Sequence, residues 1–282
     1  YQRALTEYLN DNIQHIEIRS GLGNLYDLEG HTYNAESVLD ITRRILRNTP
    51  GITLNYIYST ARRQPETTVF ARMETAIRLR AAYPELIAGF DLVGEEDQGY
   101  PLIHFLPDFL RVGELEEKYG IDLPFYFHSG ESDWADLSNL YDAVLLGSKR
   151  IGHGYNLFYY PILEPILKAI PIPLELCPIS NQVLNYVADL RDHPAGGYVN
   201  SGVPLTLSSD DPAVYGNTGA TYDFWEALMA WDLDLRSMKQ FAYNSIVFSS
   251  LEPARKTALL NSWTAKWEQF IANFLRVDLP TE

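Results

Sequence analysis

Apolar and polar positions follow two different periods along this chain, and the periods exchange about seven times. Residues 13–20 (IQHIEIRS) alternate, with Ile16 and Ile18 on one face and His15, Glu17 and Arg19 on the other, which is the two-residue period of a strand. Further strands are predicted at 53–60 (TLNYIYST), 86–94 (LIAGFDLVG), 124–131 (PFYFHSGE), 150–156 (RIGHGYN), 173–177 (PLELC) and 203–209 (VPLTLSS). Between them the apolar spacing changes to that of helices, over 1–12, 35–48, 66–83, 104–119, 136–146 and 161–169. Three more helices follow the last strand, at 221–232, 234–250 and 252–277.

Strands alternating with helices imply βα units and a parallel sheet. No GxGxxG follows an early strand, so a dinucleotide-binding open sheet loses its main support. The expectation is α/β, a TIM-type (β/α)8 barrel forming one domain over 1–282 with extra C-terminal helices; at 46% hydrophobic the 282 residues can fill one large core.

A barrel gathers the C-terminal ends of its strands around one mouth. Here those ends carry Gly94, His128 with Glu131, His153, and Asp210 with Asp211, and Glu17 projects from its strand into the lumen. Each has a bland reading alone: a solvated HxxE, a loop histidine, a turn glycine, an Asp-Asp-Pro helix cap. Together they mark an active site. His128 at a strand tip and Asp210 are suitable zinc ligands, and zinc lowers the pKa of bound water to roughly 7. His153 would hold the attacking water, Glu131 would act as the acid, and Asp211 would orient water or grip a substrate nitrogen.

The net charge of −15 argues against nucleic acid or an anionic membrane as partner and favours a neutral or cationic small substrate. The single cysteine, Cys177, excludes an internal disulfide and a CxxC metal knuckle. No apolar run approaches the length of a membrane span.

The stretches GFDLVGEED (89–97), FHSGESDW (127–134), RIGHGYN (150–156), ELCPISNQVL (175–184) and SSDDPAVYG (208–216) resemble the adenosine deaminase growth factor family, the secreted branch of adenosine deaminases. The resemblance runs from HIEIRS at 15–20 to the C-terminal helices. It implies one zinc per site with His128 and Asp210 as ligands, Glu131 as proton donor to purine N1, and His153 beside the attacking water. It also implies contacts from Asp211 to N7, from the Gly94 amide to N3 and from Glu17 to ribose. The implied reaction is hydrolytic deamination of adenosine, and of 2′-deoxyadenosine, to inosine and ammonia, outside the cell, by a protein that is a homodimer at full length. Glu95 stands where some members carry a histidine near the ribose, which bears on nucleoside preference.

The family's first strand carries an HxH ligand pair, and none of the six histidines here (15, 31, 104, 128, 153, 193) forms one. The sequence also lacks the family's N-terminal dimerisation segment, its inserted cysteine-bearing subdomain and a signal peptide. The expectation is therefore a barrel without its first strand, with two unpaired strand edges, as in a fragment of a full enzyme. The alternatives are a non-catalytic, growth-factor-like extracellular homologue, a two-carboxylate glycosidase, or the same zinc chemistry on adenine or AMP.

Overall fold

The computed structural model describes residues 1–132 and 138–276. Nine strands are present among them: β1 (His15–Ser20), β2 (Leu25–Tyr26), β3 (Thr32–Tyr33), β4 (Thr53–Ala61), β5 (Ile87–Val93), β6 (His128–Ser129), β7 (Ile151–His153), β8 (Leu174–Leu176) and β9 (Leu205–Leu207). β2 and β3 form a two-residue antiparallel hairpin on the way out of β1, too short for any sequence period to reveal. The other seven are parallel neighbours in chain order. One ladder holds β1, β4 and β5, another β6 to β9, and a single bridge between Phe90 and Phe125 joins the two.

The helices are α1 (Gln2–Asn10), α2 (Ala35–Arg47), α3 (Glu66–Ala82), α4 (Leu106–Phe109), α5 (Val112–Tyr119), α6 (Asn139–Leu145), α7 (Leu163–Ala169), α8 (Pro178–Val183), α9 (Ala195–Ser201), α10 (Thr221–Ala230), α11 (Leu235–Val247) and α12 (Pro253–Phe274). Asn34 caps α2 and Asp234 caps α11, each accepting from the amide three residues on. The helices expected to begin at 136 and to end at 277 have those ends outside the described residues, as do Asp133 and Trp134 of the FHSGESDW stretch.

Two expected elements are shorter than predicted, for identifiable reasons. The strand over 124–131 pairs fully only at His128 and Ser129, because Phe127 N donates to Ser148 Oγ (3.0 Å) and His128 N to Asp91 Oδ1 (2.9 Å) instead of to a neighbouring strand. The strand over 150–156 stops at His153, where His153 (φ 66°) and Gly154 (φ 63°) turn left-handed and start a 3-10 turn at Tyr155–Tyr159. The single helix expected over 104–119 is a 3-10 turn followed by two short helices, with Pro107 in the first turn of α4 where a missing N–H costs nothing.

The main core lies between the strands and the helices around them. Ile16 and Ile18 pack against it, so the opposite face of β1 turns its charged side chains into the barrel. Among the described residues no ladder joins β9 to β1. The seam expected from the sequence lies there, and α10 to α12 follow β9 in the chain.

Candidate active site

The site begins with β5. Asp91 alternates inward from an apolar strand and is fully buried. Its Oδ2 lies 2.6 Å from His128 Nδ1 and 2.6 Å from Arg19 Nε, and its Oδ1 accepts from His128 N. The His128 ring is therefore fixed from behind, with Nε2 as its remaining donor atom. Burial works against charge on this imidazole, yet Asp91 outweighs it and raises the pKa. Arg19 is itself paired to Glu175 at 2.8 Å, and Glu175 to Arg150 at 2.6 Å, so the barrel interior holds a continuous chain of opposite charges.

Across from His128, at a ring-centre distance of 5.2 Å, stands His153, held in its left-handed backbone conformation at the end of β7. Its Nε2 lies 3.4 Å from Glu131 Oε1 and 4.0 Å from Asp210 Oδ2. Asp210 also has a positive φ, 52°, three residues beyond β9, and its Oδ2 receives the Tyr215 hydroxyl at 3.4 Å. Burial opposes the Asp210 charge, but His153, a Ser180 hydrogen bond, His128 and Arg19 together hold the carboxyl below its ordinary value. Asp211 moves the other way, raised by burial and then by Asp210 beside it. Cys177, at the end of β8, completes the wall. His153, Cys177 and Asp210 each offer a ligand atom within 4.8 Å of the others, and burial pushes the thiol well up, with Asp210 adding to it.

These residues line a cleft of about 1320 Å³ that runs from the mouth to the seam between β1 and β9. Glu131, His128, His153, Asp210 and Asp211 all face it. Gly94 (φ 98°) lies on the rim with open space beside it, and the exposed Glu95 forms an ion pair with Arg63 at 2.9 Å. Glu17 lines the same cleft but is engaged. One carboxylate oxygen accepts from Arg150, the other from Ser250 N and, at 3.2 Å, meets His15 Nε2. A ligand reaching Glu17 must compete with these partners.

The residues that the sequence singles out near strand ends share one cleft in the structure, whereas Asp91, Cys177 and Arg19 were not singled out for the site. An aspartate amid the apolar IAGFDLV run was the available signal for Asp91. Cys177 gave none, since its partners lie on other strands and loops.

A fold of consecutive parallel strands with its charged and imidazole side chains at one mouth is of the TIM-barrel type. An adenine deaminase from Arthrobacter aurescens superposes with a TM-score of 0.75 at 23% identity, over 95% of this chain and 78% of that one. An amidohydrolase from Burkhoderia ambifaria with bound Zn superposes with a TM-score of 0.74 at 20% identity, over 98% and 75%. Within that class the sequence is more specific. The adenosine deaminase family profile matches residues 6–266, and the chain belongs to this family. It is 40% identical to Adenosine deaminase 2 of Dictyostelium discoideum over 96% of this chain and 51% of that protein, and 38% identical to Adenosine deaminase 2 of Homo sapiens over 96% and 54%. The chain thus spans about half the length of these relatives.

Proposed function

We propose that this chain forms the catalytic barrel of a zinc-dependent adenosine deaminase that converts adenosine, and 2′-deoxyadenosine, to inosine and ammonia. The observation that carries the reading is the convergence of Glu131, His153 and Asp210, with His153 Nε2 3.4 Å from one carboxylate and 4.0 Å from the other at one mouth. Family membership and the Adenosine deaminase 2 relatives support it.

The donor types suit zinc: His153, Cys177 and Asp210 offer ligand atoms within 4.8 Å of one another, and His128, 5.2 Å from His153 between ring centres, is braced through its second nitrogen as metal-bound histidines are. His128 and Asp210 would hold the ion. When bound, zinc supplies Lewis acidity that provides a hydroxide nucleophile at neutral pH. The chain's own residues do the rest. His153 holds the attacking oxygen by a hydrogen bond as it approaches C6. Glu131 gives a proton to N1 as the hydroxide oxygen bonds to C6 and C6 becomes tetrahedral; the proton of the new C6 hydroxyl then passes to the exocyclic nitrogen, the C6–N bond breaks to release ammonia, and C6–O becomes the carbonyl of inosine. Asp211, whose pKa burial and Asp210 raise, is the member of the pair suited to donate to N7. The Gly94 amide faces N3, and Glu95 with Glu17 borders the ribose.

In this reading an extended segment inserts between the free edges of β1 and β9, closes the barrel and adds the missing histidine ligands. It acts in a homodimer outside the cell; no helix among the described residues is long and apolar enough to cross a membrane. The test is metal reconstitution of protein carrying this chain with the flanking sequence its relatives have. Chelated protein should release no ammonia from adenosine, and one equivalent of zinc should restore release in step with inosine. Full activity after exhaustive chelation, or adenosine left intact by the zinc-loaded protein, would refute the reading.

A further inference from the structure

The loop leaving β5 carries a buried carboxylate, Glu96, that the chemistry above leaves unused. Glu96 is only 3% exposed and does not line the cleft. Three N–H groups converge on its two oxygens: Gly130 N at 3.0 Å and Asn139 Nδ2 at 2.6 Å on Oε1, and Glu131 N at 2.7 Å on Oε2. Asn139 is in turn fixed at the start of α6, where its Oδ1 accepts from Leu102 N at 2.7 Å.

We infer that Glu96 is the positioning residue for Glu131, holding the backbone of the HSGE turn so that the acid's side chain stands beside His153. The assignment rests on the deaminase reading for what Glu131 does, but its geometry stands without it. Gly130 lies in the left-handed region (φ 69°), which nothing in the β6 ladder enforces, and Glu131 follows β6 without strand pairing of its own. The Glu96 carboxylate supplies what the ladder does not. It binds the two successive amides of the turn, and a carboxylate is the side chain that can accept three donors while offering none. Glu96 also sits two residues beyond Gly94 and next to Glu95, both of which line the cleft. One loop therefore sets the cleft wall and the depth of the acid together, so both keep their spacing around a bound purine.

Glu96→Gln keeps the volume but turns one oxygen into an NH2 that faces an N–H, leaving one acceptor for three donors. Peptide-resolved hydrogen exchange on the protein reads the positioning directly. The Gly130 and Glu131 amides should exchange at least about tenfold faster in Glu96→Gln, with β4 and α3 unchanged. Unchanged exchange at these two amides would overturn the inference, and so would equal acceleration throughout the molecule. In protein that turns over adenosine, Glu96→Gln should lower kcat by about 10- to 100-fold with KM within about threefold, and should add less than about threefold to the loss in Glu131→Gln. Losses that multiply in full, or an unchanged kcat, would contradict it. Should Glu96→Gln not fold, Glu96→Asp decides. It keeps three-donor acceptance one methylene further back, and intermediate exchange and kcat are expected; wild-type values for both would overturn the role. A wild-type protein without deaminase activity would sink the proposed function and leave the exchange experiment to judge Glu96.

Discussion

His128 and Asp91 illustrate how the residues of this site depend on one another. The imidazole can present Nε2 to the cleft because Asp91 binds both its Nδ1 and its backbone N–H, and Asp91 can remain charged at full burial because Arg19 lies against it. Burial opposes the Asp91 charge, while His128 and Arg19 together bring its pKa below the ordinary value. Asp91→Asn should therefore weaken zinc binding by about 10- to 100-fold, measured by competition with a chromophoric chelator. Unchanged affinity would show that the His128 ring is held by other means. A second residue gives a pH prediction. Asp223, at the start of α10, is 1% exposed, has no hydrogen-bond partner for Oδ2 among the described residues, and is raised by burial from 3.8 to about 7. Because the folded value lies above the unfolded one, its contribution favours folding fully below about pH 4 and is lost as pH climbs through 7. The span corresponds to on the order of 4 kcal/mol. Asp223→Asn should flatten the stability profile across that window and melt higher than wild type at pH 8, with no gain at pH 4. Parallel melting curves would contradict this. The site residues legible in the sequence were those whose position alone announces them: His153 closes β7, and His128, Glu131 and Asp210 lie in β6 or within three residues of the end of β6 or β9. Asp91, Glu96 and Arg19 act through partners from 34 residues away in sequence (Glu96 with Gly130) to 156 (Arg19 with Glu175), and no local pattern reports such pairs.

At the scale of elements, the alternation of β1 was fully readable, since Ile16 and Ile18 need one face and the charges the other. The length of β6 was not. Its aromatic run signals a strand, yet side-chain acceptors on Ser148 and Asp91 take the amides that a ladder would use. The turn after β6 is the least forgiving element. A Cβ on Gly130 would lie 2.5 Å from Asn156 Oδ1 and 2.9 Å from Leu140, at a φ that already disfavours any side chain. Gly130→Ala should destabilise the protein by about 2–4 kcal/mol in denaturant unfolding and displace Glu131. A loss under about 0.5 kcal/mol would mean the turn relaxes freely. Helices α8 and α9 were not foreseen, being short and interrupted by Pro, Gly and Asn that read as loop.

Across the whole molecule, the seven parallel strands and their order followed from the alternation of periods, whereas the charge chain that crosses the barrel did not. Arg19, Glu175, Arg150 and Glu17 come from two strands, β1 and β8, and the approach to a third, β7, and Phe248 and Ser250 beyond α11 bond to the last two. Breaking such a chain leaves buried charge without a partner, so its members set the shape of the lumen under the site. The cleft opens at one end into the mouth and at the other into the seam between β1 and β9, where the account places the closing strand. The central claim is that this mouth deaminates adenosine with Glu131 as its acid. The most direct measurement is the ultraviolet change of adenosine becoming inosine, recorded for zinc-loaded protein with Glu131 and with Glu131→Gln. Steady conversion is expected from the first, and from the second a rate at least about 100-fold lower with zinc still bound. Conversion by Glu131→Gln within threefold of wild type, or none by either protein at full zinc occupancy, would contradict it.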